Sequence, residues 1–276
     1  MPLLVRVDRP VDHPHVAVVT LDRPAVLNAI SIDLAVELDG TLRSTGDDND
    51  VRVMVLTGAG RAFCSGLDLK DYGVVPGIDG LQVGQIAQRS MRAYSRLVTT
   101  LRDLRQPVIA AVNGPAYGGG MCLAMACDLR FSSPSASFNA TGIVNGLTST
   151  EIAAGWLLPR QVGASVANDL LLTGRVVDGE EALRIGLVSR LSDDVLAEAL
   201  TAADGMCRFS PYGLAMTKDV LWADLEIASL HAAIELEDRN QLMLGFTENL
   251  PEAIRAFGAD RPPVYTDEPR KDMFGG

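Results

Sequence analysis

At 276 residues the chain can form one large domain, or a domain with an appendage, around an ample core. Its 47% hydrophobic and 21% charged residues are ordinary for a soluble globular enzyme, and a net charge of -11 argues against nucleic acid or an anionic membrane as main partner. Cysteines 64, 122, 127 and 207 form no C-x-x-C pair, no signal-type apolar region opens the chain and no apolar run is long enough to cross a bilayer, so a cytoplasmic protein is expected.

In chain order, Leu3–Val7 and His15–Leu21 read as strands separated by a Pro/Asp/His turn. Ser31 is the expected N-cap of a helix through about Arg43. Val51–Thr57 is a buried-strand run, and residues 71–85 read as a mobile loop leading into a helix. In that helix Tyr94, Leu97, Val98, Leu101 and Leu104 share one face. A strand at 107–112 follows, then a glycine-rich turn, an apolar helical run from Met121 to Ala126, and a short strand at 128–131, after which Ala136-Ser-Phe138 leads into Gly142-Ile-Val-Asn-Gly146. Glu151 to about Val162 reads as a helix interrupted near Pro159; Ala164–Leu172 and Gly179–Ile185 are two more, stopped by Gly174 and Gly186. From about 193 onward the pattern is helical only, with Leu221, Leu225, Ala228 and Ala232 marking one face. Repeated strand, strand, helix order implies a right-handed, β-rich α/β layer structure.

Two segments carry the chemistry: Arg61-Ala-Phe-Cys-Ser-Gly-Leu-Asp-Leu-Lys70 and Asn113-Gly-Pro-Ala-Tyr-Gly-Gly-Gly-Met-Cys122. Each follows a strand, and glycines let main chain approach a ligand closely. A triple glycine opening a helix adds the positive end of the helix dipole, so backbone N–H groups alone can form an oxyanion hole. The plainer reading of Gly118-Gly-Gly120 is close helix–strand packing. Gly58-Ala-Gly60 resembles a dinucleotide loop, but Phe63 stands where its third glycine belongs and no Tyr-x-x-x-Lys follows. There is no G-x-S-x-G or H-E-x-x-H, and the histidines, 13, 15 and 231, are poor metal-site material.

These segments, together with Leu21-Asp-Arg-Pro, Asn28-Ala29 and Ala256-Phe-Gly-Ala-Asp-Arg-Pro-Pro263, resemble the crotonase (enoyl-CoA hydratase/isomerase) superfamily. The resemblance implies a crotonase-like spiral of ββα turns over residues 1–200, with an all-helical oligomerisation region over 201–276 that forms homotrimers or dimers of trimers. The plainer reading of those helices is a cap on the same subunit. It implies an acyl-CoA thioester as substrate, with coenzyme A part of that substrate and no separate cofactor or metal. The N–H groups of Leu67 and Gly119 become the oxyanion donors, and Ala62, Asp68 and Leu69 lie around the CoA adenine. Asp68 invites an acid/base role but reads better as a turn-fixing acceptor. Arg23 and Arg261 are candidates for the local positive charge that CoA phosphates need, or are simply solvated.

Adding water to an enoyl thioester calls for two carboxyl groups. Crotonase-type hydratases have glutamates where this chain has Cys122 and Gly142. Glu151, eight residues ahead of Pro159, instead matches the register of the catalytic acid in enoyl-CoA and dienoyl-CoA isomerases, a dehalogenase and the ring-opening isomerase of phenylacetate degradation. Gly155-Trp-Leu-Leu-Pro-Arg160 is especially similar to the last. The reading is double-bond isomerisation with Glu151 as single acid/base. The alternatives are a hydratase using Glu151 and a bound water, a non-catalytic acyl-CoA-binding subunit, or Glu151 as a mere first-turn acid.

Overall fold

The computed structural model describes residues 3–71 and 73–270. Tyr72, within the expected 71–85 loop, and residues 271–276, at the end of the expected helical region, lie outside the described residues. The chain runs β1 (Val5–Asp8), β2 (Val16–Leu21), α1 (Ile32–Gly46), β3 (Val53–Gly58), α2 (Val83–Asp103), β4 (Val108–Val112), β5 (Ala116–Tyr117) and α3 (Gly119–Ala126). It continues through β6 (Leu129–Ser132), β7 (Ser137–Asn139), α4 (Ala154–Val162), α5 (Ala164–Thr173), β8 (Val177–Asp178), α6 (Gly179–Arg184) and β9 (Arg190–Leu191). Four helices close it: α7 (Val195–Cys207), α8 (Pro211–Asp224), α9 (Leu230–Gly245) and α10 (Asn249–Gly258).

The larger sheet has the order β1-β2-β3-β4-β6-β9, parallel except for the β1–β2 pair. A smaller sheet, β5-β7-β8, forms a second layer. Strands β2, β3 and β4 are buried along their whole length, which is why they read as unbroken apolar runs rather than alternating ones. One face, through Val16, Val18, Val53, Val55, Ile109, Ala111 and Phe131, packs on Val195, Ala199 and Ala203 of α7. The opposite face, through Ala17, Val19, Met54, Leu56 and Ala110, packs in the main core with Leu34 and Leu38 of α1 and Leu97 and Leu101 of α2. Ser31 caps α1 as expected, accepting a bond from Leu34 N–H at 3.2 Å. Because α7 crosses residue 200, the sheet's packing extends to Ala203.

Two sequence expectations need correction. The helix expected from Glu151 begins at Ala154 and continues through Pro159, because Ile152 and Ala153 hold positive φ angles of 47° and 65° and cannot join it. The supposed face of Leu221, Leu225, Ala228 and Ala232 is split between helices: α8 ends at Asp224 and α9 starts at Leu230, with Ser229 as its cap. A buried ion pair attaches α8 to the sheet layer. Lys218 Nζ lies 3.0 Å from Asp128 and donates to the Leu101 and Gln106 carbonyls, at 2.9 and 3.0 Å. Among the described residues, no helix is long and apolar enough to cross a membrane.

Candidate active site

Strands β3 and β4 lie side by side and parallel, so the turns leaving their ends start as neighbours. They then stay in register. Cys64 N–H donates to Pro115 O at 3.1 Å and Tyr117 N–H to Cys64 O at 2.9 Å, a parallel bridge between Cys64 and Ala116. Gly120 fits under this bridge because a Cβ there would overlap the Cys64 carbonyl. Gly118 takes φ 48° and ψ −118°, outside the range of other residues, and turns the chain from β5 into α3. The triple glycine therefore serves packing and conformation as well as any ligand.

Buried Asn28 and half-buried Asn113 fasten the first turn. Asn28 Nδ2 donates to the carbonyls of Ala59, Ala62 and Phe63 at 3.0, 2.8 and 3.2 Å, while its Oδ1 accepts from Arg23 N–H. Asn113 Nδ2 donates to Gly58 and Gly60 carbonyls at 2.9 and 3.0 Å. Asp68, also buried, accepts from Lys70 and Asp71 N–H at 3.1 and 3.0 Å and pairs with Arg23 at 3.0 Å. Burial alone would push its pKa up, but the two N–H donors and Arg23 outweigh this and hold the carboxyl below its ordinary range. Asp68 is thus the turn-fixing acceptor the sequence suggested.

Leu67 and Gly119 come together at the mouth of these turns. A Cβ built on Gly66 would lie 3.6 Å from the Gly119 nitrogen, and one on Gly119 would lie 4.0 Å from Leu67 Cδ2. A parallel bridge pairs Leu67 with Ile30, whose N–H donates to Gly66 O at 2.8 Å and whose carbonyl accepts from Asp68 N–H at 3.0 Å, and Gly119 is the first residue of α3. Among the described residues, neither the Leu67 nor the Gly119 N–H has an acceptor.

Glu151 reaches the same place. A Cβ built on Gly118 would be 3.9 Å from both Glu151 Oε1 and Gly66 Cα. The carboxyl is half-buried, and that burial raises it above the ordinary carboxylate range. It lines a cavity of about 10 Å³ with Thr141, Ser149 and Cys122, the last being the other titratable group there among the described residues. Cys122 is buried, its Sγ 3.7 Å from Glu151 O, and burial followed by the Glu151 charge raises the thiol far above its usual value. At Gly142 no side chain fits, since a Cβ would overlap the Thr148 carbonyl. Neither position opposite Glu151 carries a second carboxylate.

The remaining sequence candidates are more scattered. Ala62 is buried beneath the turn, while Leu69 is 59% exposed at its rim. Arg23 sits in the cluster with Asp68; Arg261 instead pairs with Glu252 of α10 at 2.6 Å. The functions of Asn28 and Asn113 were not legible as such, although Asn113, directly after a strand end and before a glycine-rich turn, carries a usable signal.

The architecture is that of a crotonase-fold α/β enzyme, with mixed sheets and C-terminal helices. The chain belongs to the enoyl-CoA hydratase/isomerase family, whose profile matches residues 12–268. It is 48% identical over 268 residues to "Probable enoyl-CoA hydratase EchA12" of Mycobacterium tuberculosis, covering 96% of this chain and 93% of that protein. A crystal structure of a probable enoyl-CoA hydratase/isomerase from Mycobacterium abscessus matches with a TM-score of 0.91 at 44% identity, over 96% of this chain and 99% of the other. A monofunctional enoyl CoA isomerase from M. smegmatis matches with a TM-score of 0.71 at 43% identity, over 84% and 98%. Membership implies an acyl-CoA substrate.

Proposed function

We propose that the protein moves a double bond within an enoyl-CoA thioester, using Glu151 as its single acid/base. The observation that carries this is a half-buried carboxyl beside Gly118, next to the Leu67–Gly119 turn whose two N–H groups have no acceptor among the described residues, with Cys122 and Gly142 where a second acid would stand. Glu151 takes a proton from Cα, and the C–H electron pair delocalises onto the thioester oxygen. Leu67 and Gly119 N–H donate to that oxygen, worth about 3 kcal/mol for each donor. Returning the same proton to Cγ restores a neutral thioester with its double bond moved by one carbon. Ala62, Leu69 and the Arg23–Asp68 pair supply the nucleotide end of the site, whereas Arg261, held by Glu252, is not brought to it within this chain.

Hydration by Glu151 and one water is the second reading. The cavity of about 10 Å³ beside the carboxyl is near the lower limit for a single water. A panel of 3-enoyl and 2-enoyl CoA esters, run with wild type and Glu151→Gln, separates the two. Isomerisation of 3-enoyl esters, lost by roughly 10²–10⁴-fold in the variant, is the expected result. Efficient hydration of 2-enoyl esters without isomerisation would favour the second reading, and near-normal turnover by Glu151→Gln would reject both. The helices after residue 200 fit assembly into homotrimers or dimers of trimers: α9 has no buried residue, and Ile254 and Phe257 of α10 are 64% and 92% exposed.

A further inference from the structure

Glu151 is carried by an unusual piece of backbone. Ile152 and Ala153, consecutive and neither a glycine, both sit in the left-handed region, at φ 47° and 65°. A β-branched residue there is a genuine outlier, and such residues cost about 1–3 kcal/mol each and persist only where their surroundings enforce them. The surroundings here are specific. Ile152 is 5% exposed, and a Cβ built on Gly119 would lie 3.4 Å from Ile152 Cδ1, 3.2 Å from Ile30 Cδ1 and 4.0 Å from Leu67 Cδ2. The side chain after Glu151 therefore packs against one oxyanion donor beside the other. On the main chain, Glu151 O accepts from Ala154 N–H at 2.9 Å, and more weakly from the Cys122 thiol.

We propose that Ile152 is a positioning residue that keeps the Glu151 carboxyl in register with the Leu67 and Gly119 N–H groups. The proposal rests on Glu151 being the acid/base. Its logic is mechanical. A relaxed, helical 151–153 segment would swing the carboxyl away from Gly118, and the buried Ile152 side chain prevents that relaxation. The strain thus maintains a geometry in which proton transfer and oxygen stabilisation act on the same thioester. The cavity around the carboxyl contributes no charged partner among the described residues, so burial alone accounts for its raised value.

Ile152→Ala and the milder Ile152→Val test this, alongside Glu151→Gln. The expected result for Ile152→Ala is a fall in kcat of about 10-fold or more with KM changed less than about twofold. The acid limb of its pH–rate profile should move to lower pH, as the released carboxyl regains water. Ile152→Val, which keeps the branch but loses the methyl that reaches Gly119, should move both readouts the same way by a smaller amount, and serves if Ile152→Ala fails to fold. A folded Ile152 variant with kcat and acid limb unchanged would overturn the proposal. So would a loss of kcat that tracks melting temperature with no movement of the limb, since that marks simple packing. Near-normal turnover by Glu151→Gln would instead reject Glu151 itself, a separate outcome.

Discussion

The turns at 61–70 and 113–122 hold their donors with main chain, glycine and asparagine side chains, whereas Glu151 hangs from two residues in an unfavourable backbone conformation. On the turn side the hydrogen bonds are paired across neighbouring strands, so the N–H groups are fixed by the sheet itself. On the carboxyl side, positioning depends on side-chain packing around Ile152. The difference suits the two tasks proposed for these groups. An oxyanion donor gains from having no freedom. A proton shuttle must reach two carbons, and one carboxyl on a short arch can do so.

The comparison can be broken most severely at Gly118. Gly118→Ala forces a side chain into a glycine-only conformation and 2.6 Å from Thr141 Oγ1. A loss of about 3 kcal/mol in denaturant unfolding is expected. Any folded fraction should lose about 10²–10³ in kcat through a displaced Gly119 N–H. Turnover and stability near those of wild type would show that the turn side is not rigid.

Asn28→Ala is the next largest change. It strips a buried partner from the Ala59, Ala62 and Phe63 carbonyls, for an expected loss of about 2–3 kcal/mol by urea unfolding. Substrate KM should rise with it, because the 61–70 turn loses its anchor. Asp68→Asn is smaller, about 1.5 kcal/mol, since one acceptor oxygen survives. It sharpens the contrast through pH. Asp68 titrates below its ordinary range, so its contribution is present above the unfolded value and is lost as pH falls through the folded one. Glu151 is raised, so any stability it lends its protonated form disappears as pH rises through its folded value. Stability curves of Asp68→Asn and Glu151→Gln against wild type should therefore diverge in opposite directions of pH, and matching slopes would contradict the assignment.

Much of the turn side was legible in the sequence. Buried parallel strands leave apolar runs, Ser31 announces a cap, and three consecutive glycines mark a close approach. The arch was not. Nothing in Glu151-Ile-Ala153 signals positive φ, so the segment read as the first turn of a helix, and Pro159 as a break in a helix that in fact tolerates it. The α8–α9 break lacked a glycine or proline, although Ser229 was an available N-cap signal. Lys218, buried at 4% exposure against Asp128, reads as an ordinary surface lysine because pairing across 90 residues leaves no local trace.

Proton exchange tests the single-carboxylate account most directly. Wild type incubated with a 3-enoyl CoA ester in heavy water should wash deuterium into Cα and Cγ, as one carboxyl serves both carbons. Glu151→Gln, with the turns intact, should lose exchange at both positions together, by roughly 10²–10⁴-fold. Exchange surviving at either carbon in that variant would mean a second base acts there, contradicting Glu151 as the sole proton carrier.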